Sequence, residues 1–170
     1  MKKYISMLAF VALFILGMTS CDPETNEEPG GTAIEKMCGE WSVYMWGLDP
    51  NTGEVLYEDP YGMGVFSIMT YNTSANSTDE MWIDDLGQFW AFQFKVPIDY
   101  SARTFSCSST PYDADETGNA IITNGKILEG AGHNIHGMPV DSITFDIQFD
   151  DDNYGLLYHF EGTRYQGFTE

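Results

Sequence analysis

Hydrophobic and polar residues alternate along most of the chain after residue 35, with the two-residue period of half-buried β-strands. The clearest example is residues 143–149, in which Ile and Phe alternate with Thr, Asp and Gln. The last predicted strand, residues 156–165, repeats this period through Tyr158 and Phe160. One face of each strand is therefore expected to be buried and the other solvated.

Turn-forming sequences separate these segments, as in Asp-Pro-Asn-Thr-Gly at 49–53 and Asp-Leu-Gly at 85–87. The pattern predicts a strand over residues 88–96, but its aromatic residues point to both faces, so the inward face is not determined. No segment after the N-terminus repeats apolar residues at helical spacing. About eight to ten short strands predict an all-β fold, an antiparallel up-and-down β-barrel, with a two-sheet sandwich as the alternative.

The N-terminus has a different pattern, because Lys2 and Lys3 precede an apolar run over 4–18 and then Thr-Ser-Cys at 19–21. This arrangement is typical of a secretory signal and resembles a bacterial lipoprotein signal peptide. The resemblance implies that Cys21 is lipidated, becomes the first mature residue and anchors the protein to a membrane. The run is short for a transmembrane span, although an uncleaved anchor helix is the alternative.

Residues 21–34 are rich in acids, Pro and Gly and are expected to form a flexible tether. Three segments follow: a signal peptide over 1–20, this tether, and a barrel domain over 35–170. Acids directly after a lipidated cysteine resemble export signals of some Bacteroidetes lipoproteins. We therefore expect a lipid-anchored protein of the cell envelope, on the outer membrane, with exposure at the surface and a periplasmic location as the two alternatives.

The formal charge of the chain is −19, and removal of the signal with its two lysines would change it to −21. This excess of acids excludes nucleic acid as a partner and argues against docking on anionic lipid, because both require clustered Lys and Arg. Solubility explains the charge most simply, and a specific cationic partner is the alternative.

Gly39, Glu40 and Trp41 open the first predicted strand of the domain, and Arg164 lies near the end of the last one. This pairing resembles the Gly-x-Trp signature of lipocalins and other calycins. The resemblance implies that Trp41 plugs one end of the barrel, and that Arg164 packs across its ring in a cation–π contact.

The C-terminal third adds a closer resemblance, carried by residues 124–128, 138–145, 149–151 and 161–168. These segments resemble the lipid-binding, lipocalin-like lipoproteins of Bacteroidetes, which are sometimes labelled lipid-binding hydrolases; the resemblance spans about residues 35–168. It implies a membrane-tethered, monomeric protein that binds a small apolar or amphipathic ligand. We map no catalytic motif and assign no catalytic residue. A surface module for glycan capture or an envelope complex, and a hydrolase with an unrecognised site, are the alternatives.

A barrel of this size has room for one small ligand among its inward side chains. Aromatic residues make up 15% of the chain and are the candidates for a pocket wall. The candidates are Trp46, Phe66, Trp82, Trp90, Phe92, Phe94 and Tyr158. Alternatively, these rings fill the interior and leave no cavity.

The sequence contains no complete metal-binding or cofactor-binding motif. His133 and His136 lie in a Gly-rich loop with no Cys or acid close in sequence, and residues 113–118 match a calcium loop only in part. We therefore predict no metal and no cofactor. Cys38 and Cys107 are expected either to form a disulfide or to remain as buried thiols.

Overall fold

The computed structural model describes residues 31–167. The predicted signal peptide, Cys21 and the tether up to residue 30 lie outside these residues. A short 3₁₀ helix at Glu35–Met37 precedes the strands. The strands are β1 (Gly39–Leu48), β2 (Val55–Glu58), β3 (Phe66–Asn72), β4 (Glu80–Asp84), β5 (Gln93–Asp99), β6 (Thr104–Pro111), β7 (Asn119–His133), β8 (Pro139–Phe149) and β9 (Leu157–Arg164).

All strand pairs are antiparallel, and β1 pairs with β9 from Trp41↔Arg164 to Leu48↔Leu157. This last pairing closes β1 and β3–β9 into an eight-stranded barrel. The short β2 is an extra strand that pairs with the second half of β1, beyond the point where β3 begins. The predicted antiparallel up-and-down barrel is confirmed, and the sandwich alternative is wrong.

Alternate residues of each strand face the interior and the exterior of the barrel, as the sequence pattern predicts. In β1, Trp41, Val43 and Met45 are buried, whereas the residues between them are half exposed. In β5 and the residue before it, the inward face that the sequence left open carries Phe92, Phe94 and Val96. These inward side chains form a continuous hydrophobic core along the barrel axis.

Two predicted boundaries differ from the structure. Residues 88–92 are not part of a strand, since β5 begins at Gln93 and residues 85–92 form a loop. Ile34, which was assigned to the tether, is fully buried in the core, and the backbone N–H of Ala33 donates to Asn76 Oδ1 at 2.8 Å. The barrel domain therefore begins before the 3₁₀ helix.

The antiparallel order gathers the connections at two ends of the barrel. We call the end with residues 49–54, 59–65, 85–92, 112–118 and 150–156 the mouth. The opposite end, with the 3₁₀ helix and residues 73–79, 100–103 and 134–138, is the plug end. Among residues 31–167, no helix has the length and apolar character needed to cross a membrane.

Candidate functional site: the aromatic mouth

The plug end is closed by Trp41, which is fully buried. The guanidinium carbon of Arg164 lies 4.5 Å from the centroid of its ring, within range of a cation–π interaction. The indole Nε1–H donates to Thr70 Oγ1 at 2.8 Å, and the Thr70 hydroxyl donates to the carbonyl of Met37 at 2.6 Å. The indole is thus packed and hydrogen-bonded, and it offers no surface to a ligand.

Arg164 also joins the segment before β1 to the barrel wall. Its guanidinium donates to the carbonyl of Cys38, to the carbonyl of Lys36 at 3.1 Å and to Asp141 Oδ2 at 3.2 Å. A Cβ atom at Gly39 would lie 2.5 Å from Arg164 Nη1, so the glycine leaves the space that the guanidinium needs. The structure therefore brings Gly39, Trp41 and Arg164 together at one end of the barrel.

The aromatic candidates for the pocket wall divide between two surfaces. Phe66, Phe92, Phe94 and Tyr158 are buried in the barrel interior, and Trp90 is half-buried at the mouth.

Trp46 and Trp82 differ from the prediction, because both lie on the outer face of the wall. Trp46 precedes the inward Gly47 and packs on Tyr44 and His159. Trp82 lies between the inward Met81 and Ile83 and stacks on Tyr71. Strand alternation forces this placement, since neighbouring residues of a strand point to opposite sides. Neither indole lines the interior.

Phe89 fills the centre of the mouth, although it comes from a loop and not from a strand. Its ring centroid lies 5.0 Å from that of Tyr158, 5.5 Å from that of Tyr61 and 5.8 Å from that of Phe160. These edge-to-face contacts are an arrangement that aromatic rings favour. The side chain therefore occupies the space that an apolar ligand entering from this end would need.

Trp90, the next residue of the same loop, covers the rim. Its ring stacks on Phe149 with a centroid distance of 4.6 Å and an angle of 11° between the planes. Its Nε1–H donates to Asp151 Oδ1 at 3.2 Å, and the other oxygen of Asp151 accepts from the Tyr112 hydroxyl at 2.8 Å. The loop is thus held to the opposite side of the mouth by stacking and by one hydrogen bond.

A single buried carboxylate organises the loop 85–92. Asp85 is fully buried, and its oxygens accept backbone N–H groups from Gly87, Phe89, Trp90 and Ala91 at 2.7–3.0 Å. Burial raises the pKa of this carboxyl, because the cost of desolvating the charge outweighs the four hydrogen bonds.

The same loop contains strained backbone. Leu86 and Ala91 both have φ of 56°, in the left-handed region that side chains disfavour. Such strain persists only where surrounding contacts enforce it, and it often marks functional segments. Here the enforcing contacts are hydrogen bonds to two carboxylates, from the Leu86 N–H to Asp84 Oδ1 at 2.7 Å and from the Ala91 N–H to Asp85 Oδ2 at 2.9 Å. The strain makes this loop a candidate functional segment.

A surface groove lies beside Phe89 and has a volume of about 300 Å³. We call it the tyrosine groove; it is lined by Tyr57, Pro60, Tyr61, Tyr154 and Leu156.

The groove is connected to the interior through Tyr61. The Tyr61 hydroxyl lies 2.9 Å from that of Tyr158, which in turn donates to Asp152 Oδ2 at 3.0 Å. Burial and these two partners raise the pKa of Tyr158, so its phenol is neutral at physiological pH. The groove and the aromatic interior therefore share a wall.

Three parts of this site were missed in the sequence. Phe149 and Phe160 were recognised as inward-facing but not as neighbours of a ligand, although their alternation carried that signal. Phe89 was read as a strand residue, because nothing local shows that Asp85 would gather the loop. Tyr61 lies in the Gly-rich connection between β2 and β3, which has no alternating pattern from which the direction of a side chain could be predicted.

The carboxylates of the acidic turn 150–152 accept hydrogen bonds from other residues of the mouth. Asp150 accepts the backbone N–H and side-chain amide of Asn119 at 2.8 and 2.9 Å, and Asp152 accepts backbone N–H groups of Tyr154 and Leu156. Within the described part of the chain, no group of three or more His, Cys, Asp and Glu residues is arranged to hold a metal ion. Cys38 and Cys107 are free thiols.

A histidine–carboxylate pair lies on the outer face, away from the mouth. His159 Nδ1 is 2.5 Å from Asp146 Oδ1, and its Nε2 is 3.3 Å from Glu161 Oε1. Asp146 also accepts from Asn124 Nδ2 at 2.6 Å. A general base needs one ring nitrogen facing the nucleophile, whereas both nitrogens of His159 face carboxylates.

Comparison with protein families gives one match, to the family described as "Lipid-binding putative hydrolase", over residues 26–169. No curated protein sequence is significantly similar to the chain. The matched range contains every strand of the barrel, the plug and the whole mouth. The chain therefore belongs to this lipid-binding family.

Proposed function

We propose that the protein is a membrane-anchored, extracytoplasmic binding protein for a small apolar or amphipathic ligand, and that the ligand enters the barrel at the mouth. The observation that carries this proposal is the aromatic lining of the mouth by Phe89, Trp90, Tyr61 and Tyr158. The match to a lipid-binding family and the barrel fold support it. Catalysis is not part of the proposal.

The ligand must displace a side chain, because aromatic rings fill the upper interior. Phe89 is the ring to move, since it belongs to a loop held by hydrogen bonds to one carboxylate. A closed mouth lowers the observed affinity by the fraction of molecules that are open. Removing the Phe89 ring should therefore strengthen binding, which is the opposite of the usual effect of removing a contact.

The test compares binding of a neutral apolar fluorescent probe, N-phenyl-1-naphthylamine, by the full chain and by two variants. Phe89→Ala should bind it about tenfold more tightly, because expulsion of a ring no longer opposes entry. Phe105→Ala is the control, since it also removes a phenylalanine ring from the hydrophobic interior, but this ring is buried against Phe145 and not part of the mouth loop.

The control should bind like the original chain. Equal affinities in all three proteins would contradict entry past Phe89. Solvent extraction of the purified full chain, followed by mass spectrometry, would then identify any lipid that copurifies with it.

Membrane anchoring rests on Lys2, Lys3, the apolar run 4–18 and the small residues before Cys21. Replacing Cys21 with Ser should abolish incorporation of labelled fatty acid and release the protein from the membrane fraction. Cys38→Ser is the control, because this thiol lies in the barrel domain and should not affect labelling. Continued labelling of Cys21→Ser would refute the anchor.

Surface capture of a glycan is a second candidate, and a specific observation favours it. The rings of Tyr57 and Tyr154 are 53% and 75% exposed beside a barrel whose interior is occupied. Planar exposed rings suit the apolar faces of sugars. Binding of neutral oligosaccharides that is lost in Tyr154→Ala, without binding of the naphthylamine probe, would select this function over the first.

A further inference from the structure

Acidic and basic residues are distributed unequally between the two ends of the barrel. The mouth connections contain three acids in 49–54 and 59–65, one in 85–92, three in 112–118 and three in 150–156, and they contain no Lys or Arg. Glu58, at the end of β2, adds a further acid at this end. The basic residues of the described chain lie elsewhere: Lys36, Lys95, Arg103, Lys126 and Arg164. The mouth is therefore the negative pole of an already acidic protein.

Three of these carboxylates, Asp49, Asp113 and Asp150, are held in the ionised form by hydrogen bonds. Backbone N–H groups lower the pKa of Asp49 and Asp150, and a hydrogen bond from the Thr117 hydroxyl lowers that of Asp113. Hydrogen bonds from neutral donors orient a carboxylate but leave its charge in place. At physiological salt a charge acts over about 8 Å. The Asp152 carboxylate lies within that range of the groove, because its Oδ2 accepts from the Tyr158 hydroxyl at 3.0 Å and that hydroxyl lies 2.9 Å from the hydroxyl of Tyr61.

The tyrosine groove combines this negative potential with aromatic walls. Tyr57 is next to Glu58 in β2, and Tyr61 lies two residues after Asp59 in the connection that follows. Tyr154 lies two residues after the acidic turn 150–152. Cations with an apolar surface bind to such sites, because ring faces and carboxylates both attract positive charge while the rings also bury methyl groups. A volume of about 300 Å³ accommodates a head group of a few heavy atoms.

We propose that the tyrosine groove receives the cationic head group of an amphipathic ligand, an alkylammonium or trimethylammonium group, with the attached apolar chain directed past Tyr61 into the barrel. This inference rests on the proposed function and specifies its ligand class.

Charge repulsion disfavours three acidic or anionic occupants of this surface. A second copy would bring an equally acidic mouth, and an anionic bilayer would repel it. Residues 22–30 of this chain carry four acids and no base, so they are repelled as well. A cation with an apolar chain satisfies both properties of the groove.

The experiment uses three probes with the same dodecyl chain, each below its critical micelle concentration: dodecyltrimethylammonium, dodecyl maltoside and dodecanoate. Binding to the full chain is followed through the indole ¹H–¹⁵N resonance of Trp90, assigned with Trp90→Phe, because this residue lies at the mouth. At low ionic strength the cation should bind about tenfold more tightly than the neutral probe, and dodecanoate should bind most weakly. Added salt should reduce the difference.

Two variants locate the head group. Tyr57→Ala and Tyr154→Ala replace exposed rings, so both should fold, and each should weaken binding of the cation about threefold and reduce its preference over the neutral probe. Tyr71→Ala is the matched control, because Tyr71 lies on the outer face against Trp82.

The outcomes separate this inference from the proposed function. Equal binding of the three probes, or cation binding that survives in both groove variants, would overturn the ammonium site while leaving an apolar ligand in place. A Trp90 resonance that responds to no probe would count against the proposed function itself.

Discussion

The coupling energy between Trp41 and Arg164 tests most directly whether the plug end stabilises the barrel. Trp41 is fully buried, is hydrogen-bonded to Thr70 and lies beneath the guanidinium, so truncation removes packing, a hydrogen bond and a cation–π contact together. Trp41→Ala should lower the free energy of unfolding by about 3–5 kcal/mol. That is a large part of the ~5–15 kcal/mol that stabilises a typical domain.

Trp41→Phe is the milder variant, since it keeps a ring under Arg164 and loses the Nε1–H bond to Thr70. We expect it to cost about 1–2 kcal/mol. Urea unfolding of these variants, of Arg164→Gln and of the double variant, followed by circular dichroism, gives the coupling energy. It should be about 1–2 kcal/mol, because the contact is removed from water.

Trp82 and Lys95 provide the matched control on the outer wall. Lys95 Nζ lies 5.6 Å from the Trp82 ring centroid, and its side chain is 44% exposed. An exposed cation–π pair contributes about 0.5–1 kcal/mol at most, so this second cycle should give the smaller coupling. Equal coupling energies in the two cycles, or a loss of less than about 1 kcal/mol of unfolding free energy in Trp41→Ala, would show that the plug does not stabilise the barrel.

The remaining predictions concern the mouth loop, a strand crossing and the thiols. Asp85→Asn should cost about 1.5–3 kcal/mol in urea unfolding, because an amide cannot accept all four N–H groups. Since burial raises the Asp85 pKa, stability should fall as pH rises from about 4 through the raised value, and Asp85→Asn should lack that fall. Gly162→Ala should cost about 1–3 kcal/mol by the same assay, since its Cβ would meet the Ser42 carbonyl; a neutral effect would contradict the close approach. Cys107 should resist alkylation until urea is added, because burial raises its pKa, and failure of Cys38 and Cys107 to react in urea without reductant would indicate a disulfide.

The sequence specified the fold well because alternation is a local signal. Residues 143–149 became β8 with the expected inward face, and the pairing of Trp41 with Arg164 reflects two strands whose ends meet. The outward placement of Trp82 was equally readable, since it stands between Met81 and Ile83. Aromatic character alone favours a place in the pocket wall for Trp82, but its position in the strand determines which way its side chain points.

The mouth was less predictable, because its structure depends on contacts between segments distant in the chain. Residues 88–92 have the composition of a strand, yet four hydrogen bonds to one buried carboxylate outweigh that preference. The Tyr61 hydroxyl meets Tyr158 across 97 positions of sequence. No local sequence pattern indicates either contact, so the loop 85–92 and the tyrosine groove could not be predicted from the sequence.

The filled interior limits which ligands can bind. Expelling the Phe89 ring exposes apolar surface at a cost of about 1.5–3 kcal/mol, and burial of each ligand methylene returns about 0.8 kcal/mol. The first two to four methylenes therefore only offset the displaced ring, before association costs are met. Short-chain ligands should bind weakly, and affinity should then rise about fourfold per methylene across octyl, decyl and dodecyl maltosides. In Phe89→Ala the same slope should appear from a shorter chain length, because no ring has to leave; an affinity that does not depend on chain length would place the ligand on the surface and not in the barrel.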